Sequence, residues 1–406
     1  MKKANIIVLF PYKFIHYYYF LFGFDLLEKK NFKIEMHDLS HLFISKSFLK
    51  KWKVKSYKKN NLKFKNILLW FFYIMKKKNN TIIINLTYNN FNSINSFFVK
   101  MVLSIKGFKV LTYDLNDVVI EKPKKNLNYF ITKFFIEHKY DIVFYYNSIK
   151  KIIFFNLDRI IRYKREIVLT NKNNLINLKN KIFLKIHSFD YSNSLRSKDK
   201  NNKNSKYFVY LDTGFPYFSG DTFLDKSIDF SYNKFLVEKY IKNLIYFFHL
   251  IEKKFKKKVL IVFHPKFRIL NSKKNFYNFF DDFLIFNKID TNEAVRQAYC
   301  VLINTVTTSV SFAVLNYKPI IFLNSQLSRS FIGINEIIER KKLLSLLSVK
   351  SLNIDQVNSI EKRHFKIDKK AYDNYKYKYL QNLDPNLKNK FNSEIIYNAI
   401  KGNSNL

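Results

Sequence analysis

The sequence predicts two doubly wound α/β domains, each a parallel sheet covered by helices on both faces, meeting across a cleft. Three observations predict it. Short apolar runs alternate with helical stretches along both halves of the chain. Those runs are apolar throughout, which is the pattern of strands buried on both faces. A polar, charged stretch without apolar anchors, Ser197-Lys198-Asp199-Lys200-Asn201-Asn202-Lys203-Asn204, separates the halves, and the same rhythm restarts after it. At 406 residues the chain suits two domains of roughly 150–200 residues each.

In the first half, Ala4–Phe10 reads as a buried strand, His16–Lys29 as a helix and Phe32–Asp38 as a strand ending in an acidic turn. Asn80–Thr87 follows as a strand, Phe91–Ile105 as a helix stopped by Gly107, and Phe108–Asp114 as the next strand. Helix Leu127–His138 and strand Tyr140–Tyr146 continue the series. In the second half, strand Tyr207–Leu211 leads into a loop with Gly214, Pro216 and Gly220, then a long helix Tyr232–Phe255. Strands Val259–Phe263, Phe283–Phe286, Cys300–Asn304 and Pro319–Leu323 alternate with a short helix near Thr291 and helices Thr307–Leu315 and Ile334–Leu346. The resulting division is a Rossmann-like domain over 1–196, a linker over 197–205, a second Rossmann-like domain over 206–385 and a helical tail over 386–406.

Composition narrows the function classes. The one cysteine, Cys300, sits in an apolar run, so neither a disulfide framework nor a Cys-type zinc site is expected. Apolar stretches such as Phe14–Phe24 and Ile67–Met75 fall short of the roughly 18–20 residues a membrane span needs. Lys2 and Lys3 precede no small-residue cleavage site, and Pro11 interrupts the apolar stretch, so a cytoplasmic protein is expected. The net charge of +41 points to an anionic partner. Its lysines are scattered, and the abundance of Lys, Asn, Ile, Phe and Tyr beside 6 Gly and 6 Pro is what A+T-rich coding produces. Attraction to the anionic inner face of a membrane is therefore expected, and nucleic-acid binding is not.

In open parallel sheets, ligands gather at the carboxyl ends of strands. Four segments place chemistry there. Asn304-Thr305-Val306-Thr307-Thr308-Ser309 joins a strand to a helix; Thr307, Thr308 and Ser309 either cap that helix or cradle a phosphate. His264-Pro265-Lys266 follows a strand, where His264 suits donation to a phosphate or a leaving group and Lys266 adds charge. Asp212-Thr213-Gly214 offers a carboxylate as general base or as the anchor of an Asx turn. His187 and Asp190 end the first domain and either face an acceptor or make structural hydrogen bonds, while Glu293 is a candidate for a ribose hydroxyl. No GxGxxG, Walker loop or HExxH is present, which disfavours dinucleotide enzymes, P-loop kinases and zincins.

The order strand, His264-Pro265-Lys266, strand, hydroxyl-rich turn, helix Val310–Leu315 and Lys318-Pro319-Ile320-Ile321-Phe322-Leu323 resembles the GT-B glycosyltransferases of bacterial lipopolysaccharide and capsule synthesis. It is similar, more distantly, to bacterial sialyltransferases and Kdo transferases. The resemblance covers mainly Lys206 to Leu323. It implies a metal-independent transfer of a sugar from a nucleotide sugar, possible donors including a CMP-linked acidic sugar, to a glycan or lipid-linked glycan acceptor. No cofactor is implied beyond the nucleotide-sugar co-substrate, and the location implied is peripheral on the inner membrane face. His264 would contact the donor phosphate and Thr307, Thr308 and Ser309 would hold it. Asp212 matches the first acid of an acidic-acidic-Gly motif; Thr213 replaces the second and Gly214 is kept, which leaves the catalytic base open. A non-catalytic binding protein of the same fold, serving a polysaccharide-synthesis complex, is the alternative, ahead of a basic nucleic-acid-binding protein.

Overall fold

The structure is a computed structural model of the chain, and it describes residues 5–44, 46, 49, 57, 59–87, 94–115, 160–172, 181–197, 205–213, 234–264, 278–288, 290–330, 334–356 and 360–402. Strands β1 (Asn5–Phe10), β2 (Lys33–Asp38), β3 (Asn61–Lys63), β4 (Ile82–Asn85), β5 (Lys109–Asp114), β6 (Arg165–Thr170) and β7 (Lys181–Lys185) form one sheet in the order β3-β2-β1-β4-β5-β6-β7. A second sheet runs β10-β9-β8-β11-β12-β13, from β8 (Tyr207–Asp212), β9 (Lys258–Phe263), β10 (Leu284–Ile285), β11 (Ala298–Ile303), β12 (Ile320–Asn324) and β13 (Lys350–Asn353). Every pairing in both is parallel.

Uninterrupted apolar strands make sense in this setting. Successive side chains point to opposite faces, so Ile6 and Val8 enter one core of the first sheet while Ile7 and Leu9 enter the other. In β8, Phe208 and Tyr210 lie in one core of the second sheet, and Val209 and Leu211 in the opposite one. Cys300 is buried in the second body with its thiol pKa pushed up by burial. Among the described residues no helix is long and apolar enough to cross a membrane.

Several elements differ from expectation. The helix expected over His16–Lys29 is two helices, His16–Leu21 and Phe24–Lys29, because Gly23 between them adopts φ 70°, a left-handed conformation that stops the first. Strands β3, β6, β7 and β13 and the helix Ile67–Met75 extend the pattern beyond what periodicity indicated. The expected helix Leu127–His138 and strand Tyr140–Tyr146 lie outside the described residues.

The chain also passes between the two bodies twice. Helix Phe189–Ser194 and the turn that follows it send Tyr191 and Leu195 into the second core, while Phe189 packs edge-on against Phe22 of the first body, with ring centroids 4.8 Å apart. Helix Asn392–Gly402, expected to belong to a separate tail, returns instead to the first body, where Ile395 and Ile396 are buried in its core. The two passages are stitched together. The Asn392 carboxamide donates to the His187 carbonyl and accepts from the His187 amide, both at 2.9 Å. The Asn382 amide donates to His187 Nδ1 at 2.8 Å, and Ser188 N donates to the Leu380 carbonyl at 2.9 Å. Just beyond the first passage, Arg196 holds Asp25 bidentately at 2.7 and 2.9 Å and stacks over the Phe20 ring.

Candidate functional site at the carboxyl ends of the second sheet

The order β10-β9-β8-β11-β12-β13 reverses direction between β8 and β11, and at such a switch point the two flanking loops diverge and leave a crevice. Register fixes what stands there. Asp212 pairs with Phe263, so His264 lies one residue past that pair on the neighbouring strand. Tyr210 pairs with Leu302, which brings Asn304 level with Asp212 on the other side. With strands about 4.8 Å apart, Asp212, His264 and the Asn304–Ser309 turn thus share one end of the sheet, with β8 in the middle.

Across the switch point, Thr213 Oγ1 and Thr305 Oγ1 are hydrogen-bonded at 2.7 Å, joining the two loops. Beneath them, the buried Asn304 amide donates to Tyr210 Oη at 2.6 Å and Tyr240 Oη at 3.0 Å. Burial, aided by the charge of Asp212, raises the pKa of both phenols, so both stay protonated. Each phenol proton then needs an acceptor. The Asn304 Oδ1 has no hydrogen-bond partner among the described residues. Rotating the amide by 180° would let Oδ1 accept both phenol protons and turn its NH2 toward the other side.

The hydroxyl turn is built differently from the expected helix start. The helix begins at Val310, three residues later than expected, and is preceded by a tight turn. The amides of Val310, Ser311 and Phe312 donate to the carbonyls of Thr307, Thr308 and Ser309, and the Ser309 amide donates to Thr307 Oγ1 at 3.3 Å. These amides are engaged within the turn, so its ligand-facing chemistry is a hydroxyl rim, with Thr308 exposed and Thr307 and Ser309 half-buried. Asp212 is buried and His264 half-buried.

Glu293 lies in the first turn of helix Thr291–Arg296, whose N-terminus Asp290 caps by accepting from the Asn292 amide at 2.9 Å. That helix is tied to the Val310–Leu315 helix by an Asn316-to-Asn292 bond of 2.7 Å, and Glu293 is ion-paired with Lys288. His187 is elsewhere engaged: fully buried, its Nδ1 accepts from Asn382 and its Nε2 donates to the Leu387 carbonyl at 2.9 Å. Both ring nitrogens serve the crossover, the structural one of the two roles the sequence left open. Asp190 is half-buried on the crossover helix, close enough to the second body for its charge to bear on Tyr375. Lys266 and Gly214 lie outside the described residues. Among the described residues no group of three or more His, Cys, Asp or Glu side chains is placed to hold a metal ion.

Sequence reasoning missed the threonine pair and the two tyrosines. Thr213 and Thr305 sit in the motifs already singled out, but their contact depends on strand order. Tyr210 reads as core within Tyr207–Asp212, and Tyr240 as one apolar position of a long helix.

No family model and no curated protein matches the chain. Among solved structures, the chain is similar to the wall teichoic acid polymerase TagF, with a TM-score of 0.47 at 9% identity over 100% of this chain and 90% of that one. It is similar to Acinetobacter baumannii MurG at a TM-score of 0.37 and 9% identity, over 98% and 95% of the two chains. A third is the Methanocaldococcus jannaschii UDP-GlcNAc 2-epimerase, at 0.41 and 12%, over 92% and 98%.

Proposed function

We propose that the protein is a glycosyltransferase that moves a sugar from a nucleotide-activated donor to a surface glycan or glycolipid, with the donor seated at the carboxyl ends of β8, β9 and β11. The observation that carries this reading is the switch point of the second sheet, where the Thr213–Thr305 pair joins two loops that also present Asp212 and the hydroxyl rim, with His264 on the next strand. In this reading Thr307, Thr308 and Ser309 hold the donor phosphate, Lys266 adds charge, Gly214 allows close approach and Glu293 binds a ribose hydroxyl. His264 stabilises charge on the departing nucleotide, and Asp212 accepts the acceptor's proton. Holding both substrates between two bodies supplies orientation. A CMP-linked acidic sugar is the donor proposed first, on the resemblance to bacterial sialyltransferases and Kdo transferases.

The test is calorimetric titration with CMP-, UDP-, GDP- and CDP-sugars, run on the parent protein and on Thr308→Val. Heat with one class that weakens in the variant supports the site. No heat with any of them supports the non-catalytic alternative.

A further inference from the structure

Helix Ile67–Met75 has two unlike faces. Trp70 and Ile74 are buried, and the helix is fastened on that side to β2: Trp70 Nε1 donates to His37 Nδ1 at 3.2 Å, and Tyr73 and Lys77 both donate to Glu35 at 3.0 Å. On the other side Leu68, Leu69 and Phe72 are 54%, 61% and 61% exposed. At 100° per residue these three fall within about a quarter-turn of one another, so they form one continuous apolar ridge. Lys65, Lys76 and Lys78 are exposed around it, and Lys106 ties the neighbouring helix Ile94–Lys106 to the ridge's end by donating to the Met75 carbonyl at 2.8 Å. Charge over the surrounding sequence is one-sided to an unusual degree. Between Asp38 and Asp114 the chain carries fifteen lysines and neither an Asp nor a Glu.

We infer that this ridge is a monotopic docking surface for an anionic lipid bilayer, the apolar side chains entering the headgroup boundary and the lysines meeting lipid phosphates. Exposed leucine and phenylalanine flanked by Lys65, Lys76 and Lys78 fit an interface that is apolar below and anionic at its edge. The inference rests on the proposed glycolipid acceptor and deepens it. The helix leaves β3 at that strand's carboxyl end, so a docked ridge brings the carboxyl ends of the first sheet toward the lipid surface.

The experiment is co-sedimentation of the full chain with vesicles of phosphatidylcholine alone and of phosphatidylcholine containing one-third phosphatidylglycerol. The parent protein is expected to bind the second kind. Leu69→Asp with Phe72→Asp should weaken that binding at least tenfold, since two apolar contacts are lost, and each of Lys65→Glu, Lys76→Glu and Lys78→Glu should weaken it about fivefold or more. Lys253→Glu, exposed on the second body, changes the charge by the same two units elsewhere and should leave the ridge's contribution in place. Equal binding by the ridge double variant and the parent overturns the inference. So does a parent dimer that the ridge variant converts to monomer without altered vesicle binding, which makes the ridge a self-contact. Nucleotide-sugar heat measured on the same variants is independent of lipid, so losing vesicle binding and losing the donor site are told apart.

Discussion

Asn392→Ala is the sharpest probe of how the two bodies are joined. The Asn392 side chain is buried and exchanges hydrogen bonds with both backbone groups of His187 at 2.9 Å, a reciprocal pair resembling one rung of a sheet ladder. Alanine removes the donor and the acceptor together and leaves a buried N–H and a buried C=O without partners. Each orphaned group costs about 1–3 kcal/mol. Water entering the space vacated by the carboxamide offsets part of this, so the expected loss is about 3 kcal/mol. Against a total of roughly 5–15 kcal/mol for a folded protein, that is a large share. Urea denaturation followed by circular dichroism measures it, and hydrogen exchange at the His187 amide reports the same opening locally. Ser192→Ala, which removes only the 3.0 Å bond from the Asn392 amide, should cost about 1 kcal/mol. A loss below about 1 kcal/mol for Asn392→Ala, with His187 still protected, would refute the reasoning.

Other outcomes follow from the same geometry. Burial opposes ionisation of Glu35, but hydrogen bonds from His37 and Lys77 outweigh it and bring its pKa from 4.5 to about 2. Its ionised form therefore stabilises the fold fully above pH 4.5, and that stability is lost as pH falls toward 2. Glu35→Gln should flatten the acid limb of the stability curve, removing about 2 kcal/mol at neutral pH once partial exposure is allowed for. His37, whose pKa burial depresses, adds in the same sense, because below pH 6.5 the unfolded chain takes up its proton first. His264→Ala should lower kcat by about 10²–10⁴ once a donor is identified, whereas Thr308→Val should act mainly on donor affinity; unchanged values in both sink the proposed site. Arg196→Lys cannot reproduce the two-pronged grip on Asp25 and should lower the thermal midpoint, with Asp25→Asn falling similarly and the double variant no further.

The parallel sheets were legible because strands buried on both faces leave an unmistakable mark: Ile6 to Phe10 and Phe208 to Leu211 contain no charged residue, and the one hydroxyl among them is that of Tyr210. Of the edge strands only β10, within the expected Phe283–Phe286, was anticipated, and the interior β6 was missed as well. β3 and β13 are short, partly exposed and polar, as befits strands with one neighbour, so they carry no such signal. Gly23 divided a continuous apolar periodicity that contained no other stop. For the site, strand ends could be read from sequence, which drew attention to Asp212, His264 and Thr307–Ser309. Strand order could not, and it alone sets Thr213 against Thr305. His187 was left open for a related reason. A histidine after an apolar strand looks the same in sequence whether it meets a ligand or, as here, the backbone of a segment some two hundred residues away.

That distance bears on how the molecule is made. Ile395 and Ile396 complete the core around β1 and β4, yet they leave the ribosome long after those strands. At roughly 5–20 residues per second, the first body waits tens of seconds for its final piece. During synthesis the apolar surface that these two side chains cover stands open to chaperones, so the first half of this chain cannot mature ahead of the second.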